Sequence, residues 1–113
     1  MTNRVVLVGR VAREPDHRTT ATGKSVVELQ IAVKKRMKPS DPSERDADFF
    51  RVKGFNSVAD FVHGYVTKGR LIAVDGRLEA RRFTDKDGNP REIIEIVADN
   101  LQALDRPTEK TAA

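Results

Sequence analysis

FFRVKGFNSVADFVHGYVTKG, residues 49–69, decides the fold, because its hydrophobic pattern changes period part-way along. Its first seven residues contain three of the chain's five phenylalanines and two cationic side chains. Successive side chains of a strand point to opposite faces. The residues that share one face of a strand here are Phe49, Arg51, Lys53 and Phe55. Arginine and lysine are costly to bury without partners, so we expect this face to be exposed and Phe50, on the other face, to lie in the core.

The second half of the same stretch, residues 57–67, spaces its apolar side chains as a helix does. The residues at positions i, i+3, i+4 and i+7 are Val58, Phe61, Val62 and Tyr65. Ser57 and Asp60 have the spacing of a capping box, and Gly69 follows as a stop signal. We therefore expect one helix here, with Phe61 and Tyr65 in the core.

The length and composition of the chain limit which domain organisation, partners and chemistry it can have. With 113 residues, the chain is expected to form one folded domain, residues 1–105, and a short disordered polar tail, residues 106–113. The net charge of +4 favours polyanionic partners. The chain has no cysteine, which excludes disulfide bonds, cysteine-based zinc sites and cysteine nucleophiles. No stretch has the pattern of a signal peptide or the length of a membrane span, so we expect a cytoplasmic protein without membrane contact.

Alternating β-branched and apolar residues predict four more strands, at residues 4–12, 25–33, 70–84 and 91–104. Between the last two, DKDGN contains the Asp-Gly signal of a hairpin loop. In the strand over 70–84, alternation predicts an inner face made of Ile72, Val74, Gly76, Leu78 and Ala80. In the final strand, Ile94, Ile96 and Ala98 share the apolar face.

KKRMKPSDPSERDAD, residues 34–48, predicts a long exposed loop, because two prolines and mixed charges oppose a continuous strand or helix. Loops longer than about 12–15 residues inside a compact domain are usually functional or disordered. The basic residues of this loop, candidates for phosphate contacts or alternatively for an ordinary solvated segment, are Lys34, Lys35, Arg36 and Lys38. Its acidic residues alternate with Pro42 and Arg45, so no metal site is expected.

The order of predicted elements is three strands, a helix and two strands. This order, with glycines at the expected bends, predicts an all-β protein with one helix: a five-stranded OB-fold barrel. Closing the sheet into a barrel also removes the unpaired edges that an open five-stranded sheet would expose. OB-folds bind oligonucleotides through one strand face and the adjoining loops.

Phe83 has the same surroundings as the phenylalanines of FFRVKGF. It shares the outer face of its predicted strand with Arg77 and Arg81, and it precedes a loop that contains Lys86. Exposed rings among cations suit single-stranded nucleic acid, because rings stack on unpaired bases while cations neutralise phosphates. Two alternatives stay open: the rings pack against loops or a partner subunit, or a one-residue slip of the strand register exchanges the faces.

The residues needed for catalysis are not found in the sequence. Its two histidines, His17 and His63, fall in a predicted turn and on the predicted helix. No glycine-rich phosphate loop or nucleophile elbow accompanies them. We expect packing or surface roles for both histidines, no cofactor and no enzymatic activity.

Several segments resemble the bacterial single-stranded DNA-binding proteins. NRVVLVGRVAREPDHRTTATGKSV is similar to the opening strand and turn of that family, FFRVKGFNSVADFVHGYVTKG to its aromatic strand and helix, and GRLEARRFTDKDGNPRE to its fourth strand and hairpin. The resemblance runs in order through residues 3–104. It implies that Phe49, Phe55 and Phe83 are base-stacking aromatics. Met37 stands where a fourth stacking aromatic is expected, and methionine has no ring.

The resemblance also implies a homotetramer, often formed through paired N-terminal strands. Members that recruit other replication proteins end in an acidic tail with a hydrophobic tip, whereas this sequence ends in EKTAA. Recruitment through such a tail is therefore not supported by the sequence.

The sequence thus predicts a sequence-tolerant single-stranded DNA-binding protein that coats unpaired strands in replication, repair and recombination. The stacking candidates are Phe49, Phe55, Phe83 and Met37. The phosphate-binding candidates are Lys34, Lys35, Arg36, Lys38, Arg51, Lys53, Arg77, Arg81, Arg82 and Lys86. The alternatives are an RNA-binding or primosome-type OB module, and an adaptor barrel whose rings fill a protein interface.

Overall fold

The computed structural model describes residues 1–105, so the tail predicted at residues 106–113 lies outside the described residues. Six strands and one helix make up this part of the chain. They are β1 (Val5–Val11), β2 (Asp16–Thr19), β3 (Ser25–Lys34), β4 (Ala47–Phe55), α1 (Ser57–Tyr65), β5 (Leu71–Thr84) and β6 (Pro90–Ala103).

The strands form one sheet that closes on itself in the order β1-β5-β6-β4-β3-β2. Closure comes from the end of β1, where Arg10 and Val11 pair with β3. Gly9 makes this possible, because a Cβ atom there would lie 2.5 Å from the carbonyl oxygen of Ala32. β4 and β6 are parallel neighbours, and every other pairing is antiparallel. The predicted barrel with one helix is confirmed.

The additional strand, β2, was predicted as part of a polar turn. Its sequence, DHRT, has no apolar alternation, and it becomes a strand by pairing with the first four residues of β3. The connecting turn is closed by hydrogen bonds from the Thr20 N–H to the Lys24 carbonyl and from the Gly23 N–H to the Thr20 carbonyl. Gly23 has a φ of 86° there, a conformation that favours glycine.

The core fills the barrel and continues under α1. Its fully buried large side chains come from all the long strands and the helix: Val11, Val27, Ile31, Val52, Val62, Ile72, Val74 and Ile96. The helix approaches the sheet closely at Gly54, where a Cβ would lie 2.7 Å from a methyl carbon of Val58. A larger residue at this position would push the helix away from β4.

The helix differs from its prediction at both ends. Asn56, with a φ of 54°, is the N-cap residue and makes no side-chain cap hydrogen bond, so the predicted Ser57–Asp60 capping box is wrong. The helix ends at Tyr65. Phe61 packs partly buried against the core as predicted, but the prediction for Tyr65 is wrong, because its side chain is 64% exposed and contacts the ring of Phe61 at a centroid distance of 5.3 Å.

β5 and β6 continue beyond the barrel as a two-stranded arm. The pairing of β1 with β5 ends at Val5 and Gly76, and a β-bulge interrupts the β5–β6 register between Asp75 and Gly76. Past this point β5 pairs only with β6 among residues 1–105, and its residues from Arg77 onward are exposed, while Ile96 and Ala98 of β6 remain buried. The apolar residues predicted to face the core but exposed on the arm are Leu78, Ala80 and Ile94. Phe50, also predicted in the core, is 37% exposed and does not belong to the buried cluster of the barrel.

The tip of the arm is ordered by Asp85. Its carboxylate accepts hydrogen bonds from the N–H groups of Asp87 and Asn89 at 3.0 and 2.8 Å and from Nε of Arg91 at 2.8 Å. The bond from Arg91, and then those from the backbone, hold the pKa of Asp85 below its usual value. The predicted Asp-Gly turn is present, with Gly88 at a φ of 82°.

Because the folded-state pKa of Asp85 is depressed, its contribution to tip stability is present above the ordinary aspartate pKa of about 4 and is lost as pH falls through the lower folded value. We therefore expect the amide signals of the tip to shift and broaden as the protein is acidified below pH about 4. NMR titration would measure this. In Asp85→Asn the acid-dependent change at the tip should be absent, and its persistence would contradict the assignment.

Candidate nucleic-acid interface

The strand register places the two predicted aromatic rows on one continuous face of the sheet. Residues paired directly across a ladder share a face. Lys53 of β4 pairs with Val97 of β6, which pairs in turn with Arg77 of β5. The face that carries Phe49, Arg51, Lys53 and Phe55 therefore continues through Val97 and Glu95 to Arg77, Glu79, Arg81 and Phe83. Sequence alternation identified each row, but only the pairing shows that the rows adjoin.

The three predicted stacking rings are accessible on this face, which is called the aromatic face below. Phe49 and Phe83 are 41% and 42% exposed, and Phe55 is half-buried. Met37 is far more exposed and lies in the loop between β3 and β4. The rings are held by strands, whereas Met37 is held by a loop.

Each ring lies close to a cationic group. The distance from the ring centroid is 5.2 Å to the guanidinium of Arg45 for Phe49, 5.9 Å to Nζ of Lys24 for Phe55 and 5.6 Å to the guanidinium of Arg81 for Phe83. These are the distances of cation–π contacts. Strand alternation predicts Arg81 beside its ring but not Lys24 or Arg45, since both lie in loops whose geometry no alternation pattern describes.

The predicted phosphate-binding cations fall into two groups. Four of them form ion pairs with carboxylates: Lys35 with Asp48, Arg77 with Asp99, Arg81 with Glu95 and Arg82 with Glu92. The others form no ion pair within residues 1–105: Lys34, Arg36, Lys38, Arg51, Lys53 and Lys86. Their charge is therefore not offset by a neighbouring carboxylate of this part of the chain.

Arg51 and Lys53 lie at the centre of the aromatic face, between Phe49 and Phe55. Lys34 belongs to the same face, because it pairs with Ala47 two residues before Phe49. Arg82, in contrast, alternates with Phe83 and therefore points to the opposite face of the arm. Of the predicted cations, Arg51, Lys53 and Lys34 are thus the ones that share a face with the rings and have no ion-pair partner in the described segment.

Acidic side chains also line the aromatic face. An open groove of about 420 Å³ crosses it. The polar residues of the groove are Arg13, Glu14, Asp16, Glu28, Gln30, Arg51 and Glu95. Glu95 is almost fully buried and accepts a hydrogen bond from Nε of Arg81 at 3.2 Å. The face is therefore a mixed surface with local positive positions, which the net charge alone does not reveal.

The two histidines pack together. The rings of His17 on β2 and His63 on α1 stack with centroids 4.2 Å apart and an interplanar angle of 24°. Among residues 1–105, no group of three histidine, aspartate or glutamate side chains is arranged to hold a metal ion. The nine-residue helix, the single helix of this described part, is too short to cross a bilayer.

Comparison with known proteins shows the family to which the chain belongs. Residues 2–104 match the model of the single-strand binding protein family. The chain belongs to this family. Among similar curated members, single-stranded DNA-binding protein 1 of Staphylococcus aureus strain COL is 41% identical over 105 residues, a match that covers 93% of this chain and 62% of that protein. The chain thus spans less than two thirds of this relative's length.

A second curated protein and a solved structure are also similar to this chain. Single-stranded DNA-binding protein 2 of Staphylococcus aureus strain Mu50 is 41% identical, and the match covers 93% of this chain and 74% of that protein. Among solved structures, a Plasmodium falciparum SSB in complex with ssDNA superposes with a TM-score of 0.82 at 26% identity, covering 93% of this chain and 96% of that one. The family resemblance and the OB-type barrel expected from the sequence are both confirmed.

Proposed function

We propose that this protein is a non-catalytic, sequence-tolerant binder of single-stranded DNA that coats unpaired strands during replication, repair and recombination. The observation that carries the proposal is the continuous aromatic face, on which exposed rings alternate with cations along two strands. Family membership supports it, as does the likeness to a structure that contains ssDNA.

The mechanism has two parts. Phe49, Phe55 and Phe83 stack on unpaired bases, each stack contributing about 1–3 kcal/mol without regard to base identity. Arg51, Lys53 and Lys34 neutralise phosphates between the rings. The remaining predicted cations, which flank the face in the loops or are already paired with carboxylates, add weaker attraction: Lys35, Arg36, Lys38, Arg77, Arg81, Arg82 and Lys86. Met37 covers a base without the stacking energy of a ring.

The direct test is a fluorescence-anisotropy titration of a labelled oligo-dT at several salt concentrations. We expect log K to fall linearly with log salt, by about 0.7 for each phosphate contacted. Matched duplex DNA should bind much more weakly, because its bases are already stacked. No binding of oligo-dT at low salt would contradict the proposal and favour the adaptor barrel.

An RNA-binding OB module is the second candidate within nucleic acids. Competition between oligo-dT and oligo-U separates the two, because RNA alone offers a 2′-OH. We expect oligo-dT to compete at least as well as oligo-U. A clear preference for oligo-U would transfer the proposal to RNA.

Substituting cations on the aromatic face is expected to change DNA binding more than substituting a cation on the opposite face. Arg51→Ala and Lys53→Ala should each reduce the salt slope for oligo-dT by about 0.7, because each removes one unpaired cation from the aromatic face. Arg82→Ala removes the same charge from the opposite face, where Glu92 already offsets it at 2.8 Å. We expect it to leave the slope nearly unchanged. Equal effects of all three variants would contradict the assignment of phosphate contacts to this face.

We further propose assembly into a homotetramer. β1 pairs with β5 on one edge but with β3 only at Arg10 and Val11, which leaves the edge of residues 5–8 unpaired among the described residues. Val6 and Val8 are 65% and 49% exposed beside it. A second copy of β1 would cover both the open edge and these side chains. Sedimentation equilibrium tests this, and a monomeric or dimeric mass across the micromolar range would contradict the tetramer.

As a DNA-coating protein it would act in the cytoplasm, associated with the nucleoid. Recruitment of other replication proteins through an acidic tail is not part of the proposal.

A further inference from the structure

The cations nearest to Phe49 and Phe55 come from loops at opposite ends of β4. Arg45 belongs to the loop between β3 and β4, and Lys24 to the turn between β2 and β3. Neither side chain forms an ion pair within residues 1–105, although Arg45 stands between two acidic residues in sequence. Each side chain instead lies at cation–π distance from a ring.

The third contact, between Arg81 and Phe83, is built differently. Arg81 is two residues before Phe83 on the same strand, and its guanidinium is also tied to the buried carboxylate of Glu95. Arg81 is therefore held by a second contact, while within residues 1–105 the side chains of Lys24 and Arg45 form no hydrogen bond or ion pair and contact a ring. All three rings nevertheless have a cation at 5.2–5.9 Å.

An arriving base competes with the cation for the face of the ring. An exposed cation–π contact stabilises by about 0.5–1 kcal/mol, whereas a base stacked on an aromatic ring contributes about 1–3 kcal/mol. The base therefore displaces the cation. A nucleotide also brings a phosphate only one sugar away from its base, within reach of a long, flexible side chain that has just left the ring.

We propose that Lys24 and Arg45 are nucleic-acid-contacting residues, each forming with its ring a unit that binds one nucleotide: the ring takes the base and the cation takes the phosphate. The inference rests on the proposed function and adds two residues to it. In the free protein each cation rests on its ring without an ion-pair partner among residues 1–105, and binding transfers it to a phosphate of the strand.

Charge-removing variants test the assignment. Arg45→Gln and Lys24→Gln should each bind oligo-dT more weakly and reduce the salt slope by about 0.7. Lys68→Gln is the matched control, because Lys68 is exposed in the turn after α1 and makes no cation–π contact with Phe49, Phe55 or Phe83. It should change neither affinity nor slope. Circular dichroism and thermal melting confirm that all variants fold alike.

The shared-nucleotide claim is tested by a double-mutant cycle of Arg45→Gln with Phe49→Ala. If ring and cation hold one nucleotide, their substitutions should not act independently. The factor by which the double variant loses affinity for oligo-dT should then differ by about twofold or more from the product of the two single-variant factors. If the single losses of affinity simply multiply, the ring and the cation do not bind the same nucleotide. If Arg45→Gln and Lys24→Gln bind oligo-dT as the wild type does, neither side chain contacts the phosphates. Tighter binding would contradict the proposal and show that the cations shield the rings.

These failures differ from failure of the proposed function. If the wild-type protein binds oligo-dT while Arg45→Gln and Lys24→Gln behave like Lys68→Gln, the proposed function stands and the inference falls. If the wild-type protein does not bind oligo-dT, both fall together.

Discussion

The double variant Phe49→Ala, Phe55→Ala is expected to bind oligo-dT at least about 30-fold more weakly than the wild-type protein. Each ring supplies about 1–3 kcal/mol of base stacking, so that two rings supply at least about 2 kcal/mol. This factor should be about the same at every salt concentration, because the salt slope reports only the ionic contacts and neither substitution removes a charge. Both rings lie on the exposed outer side of β4, so the core is left intact.

Tyr65→Ala is the control for this experiment. Tyr65 is also an exposed aromatic residue, but it lies on α1, away from the aromatic face. Its loss should leave affinity for oligo-dT unchanged. An undiminished affinity in the double variant, with an intact circular dichroism spectrum, would defeat the stacking mechanism.

The second large effect concerns stability. Gly76→Val is expected to destabilise the fold by about 3 kcal/mol or more, the upper end of the effects of overpacking. A Cβ at Gly76 would collide with the carbonyl oxygen of Val97 and would lie 3.0 Å from Cα of Ala98. These are backbone atoms of the neighbouring strand, which cannot move aside as a flexible side chain would. Gly76 also adjoins the β-bulge at which the arm leaves the barrel.

Gly64→Ala provides the matched control. Gly64 lies in α1, and nothing stands within 4 Å of a Cβ placed there. Alanine in a helix is favoured over glycine by about 0.5–1 kcal/mol, so this variant should be slightly more stable than the wild type. Urea denaturation measures both variants. A Gly76→Val protein as stable as the wild type would contradict the close backbone approach described for the arm.

The sequence predicts most of the fold, because burial in the barrel follows a period of two. Val27, Leu29 and Ile31 on β3 are buried as their alternation indicates. The prediction becomes wrong where an apolar pattern continues past the structure that would cover it. Leu78 and Ile94 alternate correctly but lie on the arm, beyond the end of β1. Strand alternation tells which face a residue shares, and only the tertiary pairing tells whether that face is covered.

The candidate site was partly predictable for the same reason. Phe49, Phe55 and Phe83 follow from alternation, because a strand fixes the direction of every second side chain. That their two rows adjoin through Val97 depends on long-range pairing between β4, β6 and β5, which local patterns do not encode. The cations over Phe49 and Phe55 come from loops, whose course depends on the whole fold, whereas Arg81 lies on the same strand as Phe83.

The ion pairs of the arm could not be predicted from the sequence pattern either. Arg77, Arg81 and Arg82 resemble unpaired cations in the sequence, yet each meets a carboxylate of β6 across the ladder. Arg51 and Lys53 meet none within the described residues. Counting charges in the sequence therefore overestimates the positive charge that the arm has available for phosphates and underestimates the share that β4 has.

The most direct measurement of the central claim uses the absence of tryptophan from the chain. Phe55→Trp and Phe83→Trp each create a single fluorescent reporter on one of the two rows. We expect oligo-dT to quench both reporters in parallel, and an abasic strand of the same length, which keeps the phosphates but has no bases, to quench neither. Binding of oligo-dT with unchanged emission at both positions, or equal quenching by the abasic strand, would contradict base stacking on a continuous aromatic face.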